Sequence, residues 1–222
     1  MSSHPDKRVL RRKYDAAAPT YSNRYADASA VARRQVALVE GWGSKLAPGD
    51  TVLELGCADG LVTEALATAG FVVTAVDLSP VMVETARQRI HHAGLHAAFA
   101  VGDVESIDFG RRFDAVLALM CSFFAYAADP HSTLIRLGEH ARAKLLVDAN
   151  PRVVSPRMAV AAVAGAGFDR VAWRPFLVPQ RRRLPVSALY TLAGAERIPG
   201  VRSLPLRWRG NVVIKGEGLR WE

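Results

Sequence analysis

Val52-Leu53-Glu54-Leu55-Gly56-Cys57-Ala58-Asp59-Gly60 begins as a buried strand and ends in small residues, and helix-like sequence follows from Leu61 to Ala69. A strand that turns through glycines into a helix makes a nucleotide-type binding site. The backbone approaches a ligand closely where side chains are absent, and the helix N-terminus offers N–H groups. A second apolar strand, Phe71 to Val76, ends in Asp77, 23 residues after Glu54. A third ends in Gly102-Asp103, 26 residues after Asp77. Acidic residues at three successive strand ends suit a ligand with a ribose and an adenine.

Outward from this stretch, strands and helices alternate. The predicted strands are Thr51–Leu55, Val72–Val76, Ala97–Val101, Ala115–Leu119 and Lys144–Asp148, and the helices fall near Leu61–Ala69, Pro80–Ala93, His131–Ala141 and Pro156–Gly165. Strands separated by helices of this length imply right-handed parallel crossovers, hence an open α/β sheet with helices on both faces. Arg170–Leu177 and Gly210–Gly216 read as a closing antiparallel pair, which completes a Rossmann-like, seven-stranded, mostly parallel sheet with an antiparallel last strand. Residues 7 to 45 read as helical, interrupted at Pro19. Val178–Arg209, rich in Pro and Arg with a short helix at Val186–Leu192, is long for a structureless connection, so it is expected to contribute on the substrate side.

The chain of 222 residues suits a single domain, with a helical arm over 1–45, a cofactor-binding core over 46–150 and the insertion at 178–209. No apolar run reaches the ~18 residues of a membrane helix, and the start, MSSHPDKRVLRRKYD, lacks an apolar signal region. Two cysteines, Cys57 and Cys121, fit reduced thiols in a cytoplasmic protein better than one disulfide. The net charge of +8 is uneven: residues 1–150 carry 16 basic and 17 acidic side chains, residues 151–222 carry 13 and 4. The surplus centres on Arg181-Arg182-Arg183, which is either a solvated face or a surface for an anionic group on an acceptor or its carrier.

Ligands of open α/β sheets sit beyond the C-terminal strand ends. There Gly56 and Gly60 let the chain turn sharply, and Glu54 can fix the loop or a bound amino group. Asp77 can accept two hydrogen bonds from a ribose diol, or cap a helix, although Ser79 before Pro80 is the better cap. Asp103 can accept from an adenine amino group, with Val104, Leu78 and Met82 as apolar walls.

The stretches VLELGCADG, VTAVDLSPVMVETAR, VGDVESIDF and FDAVLALMCSFFAY, in this order and spacing, resemble class I S-adenosylmethionine-dependent methyltransferases, in particular the small ubiquinone/menaquinone-biosynthesis-like group. The likeness covers about residues 10–150, and GNVVIKGE resembles that fold's last strand. It implies that Glu54, Gly56, Cys57 and Gly60 surround the methionine portion of S-adenosylmethionine, and that Asp77 holds the ribose. It also implies that Leu78 and Met82 sandwich the adenine, that Asp103 with Val104 reads its edge, and that Met120 closes the pocket below the sulfonium. The arm carries Tyr14, Asp15, Tyr21, Arg24 and Tyr25; by resemblance it folds over the cofactor, with Tyr21 on the methionine or substrate side and Arg24 on the cofactor carboxylate. One departure stands out: the family's middle loop glycine is Ala58 here.

Methyl transfer from a sulfonium is an in-line displacement in which positioning supplies much of the rate, and a base is needed only if the acceptor loses a proton. Tyr126, His131 and Asp148 lie near strand ends; Tyr126 and His131 are the catalytic candidates. Phe123, Phe124 and Tyr126 suit either an apolar or aromatic acceptor site or ordinary core packing. The other histidines form no metal-ligand spacing, so no metal is expected. The expected acceptor is a small molecule of quinone, natural-product or sugar metabolism, methylated on oxygen in the first reading, with nitrogen or carbon left open. The loop after the fourth strand lacks Asn/Asp-Pro-Pro-Tyr/Phe, which argues against nucleic-acid amino methylation. Three alternatives stay open: a dinucleotide oxidoreductase, although Gly56 and Gly60 are spaced G-x-x-x-G; a non-catalytic adenosyl-binding protein; and an RNA methyltransferase suggested by the pI of about 10.0.

Overall fold

The computed structural model describes residues 6–177, 185–198 and 211–219. Seven strands form one sheet: β1 (Thr51–Leu55), β2 (Val72–Asp77), β3 (Ala98–Val101), β4 (Phe113–Ala118), β5 (Ala141–Ala149), β6 (Phe168–Phe176) and β7 (Asn211–Leu219). Their spatial order is β3-β2-β1-β4-β5-β7-β6. Strands β1 to β5 pair in parallel, and β7 inserts antiparallel between β5 and β6. The predicted closing pair is therefore present, with the last strand inside the sheet and the earlier one at its edge.

The chain steps outward from β1 to β2 and β3, then returns to place β4 on the other side of β1. The carboxyl ends of β1 and β4 flank this reversal, where a crevice opens. Apolar side chains on the strands cover both faces. Leu53, Leu55, Val116, Leu145 and Val147 pack with Leu134, Leu137, Ala159 and Val163. Val52, Val73, Leu117 and Leu146 pack with Val36, Val39, Leu66 and Ala86. The central strands read as continuous apolar runs because they are buried on both sides.

Helix starts follow local chemistry. In α4 (Pro80–His92), α6 (Pro130–Glu139) and α7 (Pro156–Gly165), proline occupies the first turn and the side chain of the preceding Ser79, Asp129 or Ser155 accepts from the backbone N–H three residues on. The helix predicted to run to Ala141 stops at Glu139, because Ala141 already pairs with Phe113 in the sheet. The N-terminal segment divides as Pro19 demands: α1 (Lys7–Ala17), a 3-10 turn over Ala18–Arg24 and α2 (Ala28–Gly41). Helix α3 (Leu61–Thr68) begins at Gly60 in a left-handed conformation, with no side-chain cap. A short α5 (Phe123–Tyr126), absent from the sequence expectation, follows β4. Helix α8 (Val186–Ala195) matches the predicted short helix, three residues longer. The Arg181-Arg182-Arg183 cluster and most of the 178–209 insertion lie outside the described residues. Among the described residues no helix is long and apolar enough to cross a membrane, and no group of three His, Cys, Asp or Glu side chains is arranged to hold a metal.

Candidate active site

The turn after β1 is built by two close approaches. Gly56 has φ +74°, and a Cβ there would stand 2.4 Å from the Cys121 Cβ. Its N–H and that of Cys57 both donate to the Val76 carbonyl, at 2.7 and 2.9 Å, which ties the turn to β2. Ala58 adopts φ 49°, the left-handed conformation that the missing glycine would take without strain.

The Asp77 carboxylate accepts from the Ala58 N–H through Oδ2 and from the Ser79 N–H through Oδ1, each at 2.9 Å. Burial pushes its carboxyl up, against the lowering effect of these hydrogen bonds. Glu54 is buried below the turn, where the Thr63 hydroxyl donates to it at 2.6 Å. Burial, only partly offset by Thr63, pushes Glu54 up to about 8, and Asp77 and Asp59 raise it further.

The arm crosses the crevice and is tied down along its length. Lys7 Nζ lies 2.5 Å from Glu105 Oε2 and 3.3 Å from Asp103 Oδ1. The Ser79 hydroxyl donates to Asp15 at 2.5 Å. Ser22 donates to the buried Asp59, which also pairs with Arg89 of α4.

Under the arm lie three adjoining cavities. The first, about 720 Å³, sits over the ends of β1, β2 and β3 and is lined by Lys7, Asp77, Leu78, Asp103, Val104 and Phe123, among others. The second, about 430 Å³, is bounded by Glu54, Gly56, Cys57, Asp59 and Met120. The third, about 1040 Å³, opens over the ends of β4, β5 and β7 beside Arg24, Tyr25, Asp148, Asn150 and Asn211. Tyr21 lines all three, and Met120 separates the second from the third.

A methyltransferase-domain family profile matches residues 52–143. The magnesium-protoporphyrin O-methyltransferase of Rhodobacter capsulatus is 29% identical over 153 residues, 68% of this chain and 62% of that protein. A ubiquinone biosynthesis O-methyltransferase of Xanthomonas campestris pv. campestris is 38% identical over 74 residues, 32% of this chain and 31% of its own length. Residues 52–143 thus match a methyltransferase domain, and in sequence and fold the chain is similar to class I S-adenosylmethionine-dependent methyltransferases.

Solved structures share this fold. Magnesium protoporphyrin IX methyltransferase from Synechocystis PCC 6803, solved with S-adenosylmethionine, superposes with TM-score 0.66 at 16% identity, covering 98% of this chain and 100% of that one. The cyclase SpnF superposes with TM-score 0.71 at 16% identity, over 97% and 98% of the two chains, so likeness of fold alone does not decide the chemistry. The chain spans less than two thirds of the two curated relatives described above.

Of the residues singled out from sequence, Asp77, Leu78, Asp103 and Val104 line the first cavity, and Glu54, Gly56, Cys57 and Met120 the second. Five fall elsewhere. Met82 has no exposed surface and lies outside the lining of all three cavities, because its position on α4 faces the core. Gly60 meets α4 instead: a Cβ there would stand 2.7 Å from the Ala86 Cβ, so it is needed for helix packing. Arg24 lines the third cavity, away from the Glu54 end, with its guanidinium 4.1 Å from the Tyr21 ring centre. Tyr126 lines the first cavity and not the third; burial pushes its phenol up, but the Tyr14 hydrogen bond and the Lys13 ammonium outweigh this and hold it below the usual value. His131 is exposed in the first turn of α6, with its ring near Gly165 of α7 and clear of the three cavities. The expected aromatic acceptor wall also disperses, since Phe123 lines the first cavity and only Phe124 the third.

Two residues absent from the sequence reading matter here. Lys7 covers Asp103, and Asn211 reaches Asp148 at 2.5 Å. Asn211 would have been found by drawing β7 antiparallel to β5 in register, which pairs Ala149 with Val212.

Proposed function

We propose that this protein transfers a methyl group from S-adenosylmethionine to an oxygen of a small polar acceptor. The observation that carries this reading is the third cavity. Eight of its twelve lining residues bear polar groups, and it meets the second cavity at Met120.

The residues present fit the cofactor. Glu54, buried with a hydroxyl as its partner and pushed up to about 8, suits the amino group of the methionine portion. Asp77 keeps a lone pair on each oxygen for a ribose diol. Leu78, Val104 and Phe123 suit an adenine face, and Asp103 lies beside them. When bound, S-adenosylmethionine supplies a methyl group already activated by the sulfonium charge. The chain's own part is to orient the acceptor and limit water, and the arm serves both by placing Tyr21 in the lining of all three cavities.

Arg24 belongs to the acceptor in this reading. It lines the third cavity, and among the described residues no carboxylate forms an ion pair with it, so it suits an anionic group on a metabolite or a carrier-bound substrate. Arg24→Ala is expected to raise the acceptor KM about tenfold while S-adenosylhomocysteine affinity stays within twofold. A fall in S-adenosylhomocysteine affinity would return Arg24 to the cofactor carboxylate. The free thiols Cys57 and Cys121 support a cytoplasmic location, and one domain over 1–222 remains our reading of the organisation. RNA methylation through the basic C-terminal third is the competing reading. Steep salt dependence of RNA affinity would favour it.

A further inference from the structure

We propose that Asp148 takes the proton of an acceptor hydroxyl in the third cavity, held for that task by Asn211. This rests on the reading of the protein as a methyltransferase and names the acceptor chemistry within it.

Asp148 sits near the carboxyl end of β5, 5% exposed, among the residues lining the third cavity. Its Oδ1 accepts from the Met120 N–H at 2.8 Å, and its Oδ2 accepts from Asn211 Nδ2 at 2.5 Å. Each oxygen keeps a lone pair for a ligand. Met120 and Ser122 both adopt φ 58°, a strained conformation for side-chain-bearing residues. Within this turn the Met120 N–H meets Asp148 at the boundary between the second and third cavities. Asn211 Nδ2 also touches Met120 Sδ at 3.5 Å, so one amide fixes both the carboxylate and the boundary residue.

The protonation state suits a base. Burial pushes Asp148 up to about 6, against the lowering hydrogen bonds from Met120 and Asn211, so it is ionised at neutral pH and still accepts a proton. Its titratable surroundings are Cys121 on the β4 loop and Tyr25, Tyr14 and Tyr21 on the arm, all raised by burial and neutral, with Arg24 also lining the cavity. In the step, the acceptor O–H bond breaks and its proton passes to an Asp148 oxygen. The freed oxygen pair bonds to the methyl carbon, and the methyl–sulfur bond breaks with its electrons returning to sulfur. The carboxylate charge and the sulfonium charge cancel.

The test begins with protein loaded with S-adenosylhomocysteine and labelled with carboxyl-13C aspartate. The resonance lost in Asp148→Asn should titrate near pH 6 and move up by about one pH unit in Asn211→Ala, which loses a donor to the charged form. Radiolabelled methyl transfer is then followed from about pH 5 to 8 with phenol, catechol, glycerate and 3-hydroxybenzoate. The wild-type rate should rise through the same acid limb. Asp148→Asn should lose at least about 100-fold with S-adenosylhomocysteine affinity kept, and Asn211→Ala should shift the limb upward. Any of four results overturns the proposal: a carboxylate still ionised below about pH 4, a pH-independent rate, full turnover in Asp148→Asn, or no methylation of any probe by protein that binds S-adenosylhomocysteine. If Asp148→Asn does not fold, Asn211→Ala carries the test through the same shifts. Wild-type protein that fails to bind S-adenosylhomocysteine would instead overturn the methyltransferase reading.

Discussion

The backbone N–H of Ala58 donates to Oδ2 of Asp77 across 2.9 Å, so the turn after β1 and the end of β2 form one hydrogen-bonded unit. Asp77 thus has two tasks, holding the turn and facing the ribose position. Asp77→Ala is expected to cost about 1.5–3 kcal/mol of S-adenosylhomocysteine binding, the value of a lost charged hydrogen bond. Calorimetric titration of the variant checks it.

Ala58 tests the same unit from the other side. Its φ of 49° carries strain that glycine would not. Ala58→Gly is expected to stabilise the fold by no more than about 1 kcal/mol, because relief of strain is partly offset by the freer unfolded chain. S-adenosylhomocysteine affinity should hold or improve. Thermal melting and titration together check this.

Gly56 and Cys121 are in steric contact across the crevice. Gly56→Ala should destabilise by about 2–4 kcal/mol, combining overpacking with a positive φ. The double variant with Cys121→Gly should recover part of that loss, since it removes the atom 2.4 Å from the added methyl. Denaturant unfolding of the two single variants and the double variant measures the coupling.

Glu54 makes binding depend on protons. Its folded value of about 8 lies above the ordinary 4.5, so the free protein holds this proton at pH 7. A bound ammonium lowers that value, and S-adenosylhomocysteine binding at pH 7 should release a proton, a release that Glu54→Gln abolishes. Calorimetry in buffers of different ionisation enthalpy reads it directly. Without ligand, the same shift contributes stability that is full below pH 4.5 and lost as pH rises to about 8. Glu54→Gln should flatten that decline.

The arm ties predict a kinetic effect. Lys7→Ala removes the bridge to Asp103 and Glu105, and Asp15→Ala removes the acceptor for Ser79. Each should speed S-adenosylhomocysteine dissociation several-fold and leave the melting transition nearly unchanged, because these ties lie at the partly exposed edge of the fold. Stopped-flow fluorescence checks it.

The order of strands and helices was legible in the sequence because local signals agreed. Apolar runs marked strands buried on both faces, and Ser-Pro or Asp-Pro pairs marked the starts of α4, α6 and α7. The acidic strand ends were legible for the same reason: Asp77 and Asp103 are fixed by where their own strands stop. Orientation around a helix was not. Met82 shares a motif with Leu78, yet its turn of α4 points into the core. Arg24 depended on the path of a 3-10 turn broken at Thr20, whose conformation no simple periodicity predicts. His131 stood at a helix start, as expected, but the start faces α7. The Asp148–Asn211 pair is 63 residues apart in the chain and becomes visible only when β7 is placed in register against β5.

The most direct measurement is calorimetric titration of the purified protein with S-adenosylhomocysteine, S-adenosylmethionine and NAD⁺. The account predicts micromolar binding of both adenosyl ligands and none of NAD⁺. Binding of NAD⁺ alone, or of none of the three, would contradict it.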